Sequence, residues 1–86
     1  MSRQRTMEKI LESEYVSIGE LVLLTGCRYS TLKFYTEEGM IPFEQEEEKL
    51  TRRFPREQAI EKIKKIQDLK KRGLSIPEIK NILSLT

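Results

Sequence analysis

Two tetrapeptides constrain this chain more than any other feature: Ser17-Ile18-Gly19-Glu20 and Ser75-Ile76-Pro77-Glu78. In each, a Ser stands three residues before a Glu at the head of an apolar run. The Ser oxygen then takes an orphan helix amide while the Glu reaches back to the amide of the Ser, so both stretches predict helix starts. From the first start the chain runs through Leu21, Val22 and Leu24 to Thr25-Gly26, and Gly accepts the left-handed conformation that closes a helix. The spacing of Leu32 and Tyr35 predicts a second helix over about residues 29–38, with both side chains inward and its end at Gly39. Two short helices with three residues and a Gly between them make a helix-turn-helix.

Beyond Gly39, the stretch MIPF and the stretch LTRRF flank EQEEEK. Pro42 permits only an edge strand, so the reading is a small two-stranded hairpin or wing. Pro55 is pre-set for a first helical turn. Ala59, Ile60, Ile63, Ile66 and Leu69 follow at helical spacing as one buried stripe, with Lys62, Lys64, Lys65, Lys70 and Lys71 on the surface. Gly73 closes this long helix, Leu74 supplies the apolar contact of the cap, and the second tetrapeptide opens a last helix with Ile79, Ile82 and Leu83 inward. The fold class is therefore mostly α: a winged helix-turn-helix of about four helices and a small two-stranded wing. Residues 1–15 form either an extra helix, with Met7, Ile10 and Leu11 as its apolar side, or a mobile arm; residues 16–86 form the domain proper.

At 86 residues the chain is one small domain, burying only about 60–65% of its unfolded surface. A single Cys, Cys27, excludes an intramolecular disulfide and reads as a small buried core residue. The absence of His removes the usual metal sets and His-based acid-base arrangements, so no enzyme activity, metal or cofactor is expected. No apolar run approaches the roughly 20 residues of a membrane span, and the basic opening MSRQR leads into MEKILESEY rather than a signal-peptide core, so a cytoplasmic protein without membrane contact is expected. The net charge of +2 is unevenly spread: residues 1–36 carry five cations and four acids, 37–50 one and six, 51–86 ten and four. A basic second half suits a polyanionic partner, although basic helical faces are also common solvated surface.

Taken in order, residues 18–26, TLKFY at 31–35, EEGMIP at 37–42, RRF at 52–54 and LKKRGLSIPEIKNIL at 69–83 resemble the winged-helix DNA-binding domain of MerR-type transcription regulators. The resemblance covers about residues 16–83. It implies double-stranded DNA as partner, with helix 29–38 in the major groove and the wing, residues 41–54, on the flanking backbone. Arg28, Tyr29, Ser30 and Lys33 would approach base edges, while Tyr35, Arg52, Arg53 and the amide end of the first helix at Ser17 would hold phosphates. Phe34 completes the set, although core packing is the stronger reading of its ring. Lys33 falls where the family has a groove-facing Arg, and Lys lacks the rigid fork of Arg. Arg28 replaces the family's usual Ser cap, a poor neighbour for a helix N-terminus without an anion. Leu50-Thr51 replace a Gly-Tyr before the Arg pair, and the glutamates of the tip either point away from DNA or meet a basic partner.

A homodimer or head-to-tail array on DNA, and a contact with RNA polymerase or another protein, are compatible with this reading. Two rivals share the fold: a protein-interaction module on a helix-turn-helix scaffold, and an excisionase-like architectural protein that bends DNA.

Overall fold

The computed structural model describes residues 6–45 and 51–85; the glutamate-rich tip of the expected wing, at 46–48, lies outside them. The elements run α1 (Met7–Glu12), β1 (Tyr15–Val16), α2 (Ile18–Thr25), α3 (Tyr29–Glu37), β2 (Phe54–Pro55), α4 (Arg56–Lys71) and α5 (Ile76–Ser84). Both expected capping boxes form. The Ser17 amide donates to Glu20 Oε1 at 2.9 Å and the Glu20 amide to Ser17 Oγ at 3.2 Å, with 2.8 and 3.4 Å for the same pair at Ser75 and Glu78. At the other ends, α3 and α4 close in the same way. The Gly39 and Gly73 amides donate to Thr36 and Lys70 carbonyls, the Met40 and Leu74 amides to Tyr35 and Leu69 carbonyls, and the two glycines take φ of 73° and 89°. These are Schellman closures, which require the left-handed residue that Gly supplies without strain.

The core gathers one face from each element. Leu21 of α2, Leu32 and Tyr35 of α3, Phe54 of β2, Ala59, Ile63, Ile66 and Leu69 of α4 and Ile79 of α5 are buried together, with Ile60, Ile82 and Leu83 half-buried at its edge. The stripe read from the sequence of α4 is thus the inner face of the longest helix. Burying each such aliphatic side chain contributes about 1.5–3 kcal/mol before the entropy of ordering is subtracted. Lys80 reaches Glu38 at 3.0 Å and ties α5 to the end of α3. No helix among the described residues is long and apolar enough to cross a membrane.

Three features differ in detail from the sequence expectations. The small antiparallel sheet pairs β2 with β1, Val16 opposite Phe54 and Tyr15 opposite Pro55, while among the described residues the two arms of the wing share one isolated backbone bridge, Glu44 with Arg53, which exchange hydrogen bonds of 2.7 and 2.9 Å. Pro42 brings no amide to a ladder, and pairing with β1 sets Val16 and Phe54, both buried, side by side. Pro55 ends β2 and caps α4 from outside, with an extended backbone at ψ 112°, so Arg56 and not Pro55 is the first helical residue. The Arg56 amide donates to the Glu14 carbonyl at 2.9 Å and its Nε to the Ser13 carbonyl at 2.8 Å. Finally, residues 7–12 are helical, capped by Thr6, and only Ile10 of the three expected apolar residues is buried; Met7 and Leu11 are exposed.

Candidate nucleic-acid interface

The helix expected to enter DNA, α3, has two distinct faces. Leu32, Tyr35 and Thr36 are buried, and the Thr36 hydroxyl donates to the Leu32 carbonyl at 2.8 Å, so it asks for no outside partner. On the other side of the helix, Tyr29, Ser30, Lys33, Phe34 and Glu37 are exposed. Arg28 stands at the N-cap with an extended backbone, φ −72° and ψ 147°, and its side chain caps nothing. The first amides of α3 and the positive end of its dipole therefore face outward beside an exposed guanidinium.

Tyr35, expected to hold a phosphate, is instead part of the core, with only 2% of its surface accessible. It lies three residues after Leu32, on the face that packs inward. Its ring lies 6.1 Å from that of Phe34 and 6.0 Å from Lys70 Nζ. Phe34, whose ring the sequence favours for the core, is instead exposed on the same face as Lys33.

A groove of about 550 Å³ runs beside the start of α3, lined by Gly26, Cys27, Arg28, Thr31 and Tyr35 on one side and Gln67, Lys70 and Lys71 on the other. Gln67 Nε2 donates to Cys27 Sγ at 2.9 Å, which fixes the turn of the helix-turn-helix to the last turns of α4. Cys27 itself is buried. Lys70 and Lys71 thus join Arg28 in one cationic groove, a placement that sequence reasoning missed. Their position at a helix C-terminus is favourable on dipole grounds alone. The contact that brings them to Arg28 spans 40 residues of chain and leaves no local signal.

A second groove of about 400 Å³ brings Ser17 together with the wing, lined by Tyr15, Val16, Ser17, Glu20, Thr51, Arg52 and Arg53. Ser17 is less open to an anion than its helix-start position implies, because the Glu20 carboxylate already accepts from its amide. The two arginines sit differently. Arg52 lies over the Phe43 ring at 4.9 Å, and Arg53 over the Tyr15 ring at 5.5 Å. The Tyr15 hydroxyl is hydrogen-bonded to Glu44, and that bond, reinforced by the charges of Glu44 and Glu14, holds its pKa above the usual phenol value. Arg53 therefore shares its surroundings with carboxylates. The sequence places the wing pair together; the structure gives the two members different neighbours.

A two-helix unit with an exposed second helix, cations on both flanks and a wing define a DNA-binding transcription regulator of the helix-turn-helix class. Residues 16–86 match the family described as MerR HTH family regulatory protein, and the chain belongs to that family. No curated protein and no solved structure gives a significant match to the chain.

Proposed function

We propose that this protein binds duplex DNA at a specific sequence, with α3 in the major groove and the wing, residues 41–54, on the flanking backbone. The observation that carries the reading is the state of the exposed face of α3. Among the described residues, the side chains of Arg28, Tyr29, Ser30 and Lys33 have no hydrogen bond or ion pair within the protein. Arg28 also lines the groove that holds Lys70 and Lys71. Tyr29, Ser30 and Lys33 then read base edges together with the apolar ring of Phe34, while Arg28, Lys70, Lys71 and the wing arginines hold phosphates. The domain that does this is residues 16–86, acting as a dimer or array on DNA.

Selection of bound duplexes from a random pool, followed by titration of the winner and of a scrambled duplex across salt, tests the proposal. Specific binding predicts enrichment of one motif, an affinity that falls steeply with salt for both duplexes, and a ratio between them that survives. A motif with two-fold symmetry identifies a dimer, and direct repeats an array. No enrichment, with neither duplex retained at low salt, would overturn the reading in favour of a protein-interaction module.

A further inference from the structure

We infer that Phe43 is a positioning residue for Arg52: its ring holds the guanidinium in place to receive one backbone phosphate. The inference rests on the wing contact proposed above and goes beyond it by naming what orders that contact. Phe43 sits on the arm of the wing opposite Arg52 and is 37% exposed, an awkward place for a large apolar ring. Its surroundings account for it. The ring lies 6.1 Å from that of Phe54, tilted by 48°, and Phe54 is buried in the core and paired with Val16. The Arg52 guanidinium carbon lies 4.9 Å from the Phe43 centroid. Core, Phe54, Phe43 and Arg52 therefore form one stack that reaches from the interior to the surface of the wing.

What this contact leaves unused is the point. A ring face attracts a cation but presents no carboxylate or carbonyl acceptor. Among the described residues Arg52 has no ion pair or hydrogen bond that would occupy its five N–H donors. Its neighbour Arg53 is the contrast, lying over a tyrosine whose hydroxyl is bound to Glu44. A long side chain that is ordered before binding loses less freedom when it binds, so Arg52 is the member of the pair built for a phosphate.

A double-mutant cycle on the full chain tests this, with affinity for the selected duplex measured across a salt series for wild type, Phe43→Leu, Phe43→Tyr, Arg52→Ala and Phe43→Leu/Arg52→Ala. Loss of one phosphate contact lowers the slope of log affinity against log salt by about 0.9. Arg52→Ala is expected to show that drop. Phe43→Leu keeps apolar contact with Phe54 but not the aromatic face, and is expected to bind about two- to five-fold more weakly with part of the same drop in slope. Phe43→Tyr should restore wild-type behaviour, and the double variant should match Arg52→Ala alone. Wild-type binding by Phe43→Leu would overturn the inference while leaving the wing contact intact. A Phe43→Leu loss that persists in the Arg52→Ala background would also overturn it, because the ring would then act on packing rather than through Arg52. An unchanged slope in Arg52→Ala would remove the wing contact itself.

Discussion

The helices α2 and α3 lie three residues apart, yet their first turns are built differently. At α2, Ser17 and Glu20 satisfy each other, and a carboxylate stands at the positive end of the dipole. At α3, the N-cap is Arg28, which caps nothing and adds a positive charge where the helix already carries one. The start of α4, at Pro55, also lacks a side-chain cap but adds no charge there. At α3 the like charge at the helix start is the unfavourable feature, and the proposed DNA contact would supply the anion it lacks.

The comparison is tested most strongly inside α3, by setting its inner face against its outer one. Leu32→Ala removes a fully buried side chain and should cost about 2–5 kcal/mol of stability, measured by denaturant unfolding. Lys33→Ala, one residue away and exposed, should leave stability within about 0.5 kcal/mol but weaken binding to the selected duplex by about 1–3 kcal/mol. Equal stability losses at the two positions would mean that α3 has no free face.

The open end itself is sharpened by closing it. Arg28 already has the extended backbone of an N-cap, so Arg28→Ser should stabilise the fold by about 0.5–1 kcal/mol while weakening DNA binding. A variant that gains stability and keeps full affinity would show that the missing cap has nothing to do with DNA. The smallest effect belongs to the closed ends. Hydrogen bonds donated by the Ser75 backbone amide, and then by the Ser75 hydroxyl, hold the Glu78 carboxyl below its usual pKa. Its contribution is present in full above the unfolded value and is lost as pH falls through the lower folded one. Wild type should lose this increment on acidification, and Glu78→Gln should not, as read by melting temperature across the acid range.

Features that depend on neighbours in the chain were legible in the sequence. Ser17 with Glu20, Ser75 with Glu78, and the glycines at 39 and 73 act over three or four residues, and their geometry follows from local hydrogen bonding alone. The stripe of α4 was legible for the same reason, since one helix period decides it. Where two distant segments decide, the pattern is silent. Phe54 as the strand partner of Val16, rather than of a residue on the other wing arm, follows from which surface needs covering. The cationic groove formed by Arg28, Lys70 and Lys71 depends on the Gln67 to Cys27 bond. Tyr35 and Phe34 show the same limit at one position's distance: a single residue of helical phase puts one ring in the core and leaves the other in solvent.

The clasp at Arg56 has a consequence for where this fold begins. The family match starts at residue 16, whereas Arg56 fastens the carbonyls of Ser13 and Glu14 to the head of α4, and Ile10 fills part of the core. The stretch matched by the family and the stretch packed into the core therefore differ. Amide protons at the start of α4 are expected to exchange with solvent in step with those of residues 10–16, so the extra turn of helix ahead of the family boundary acts as a latch on the longest helix of the domain.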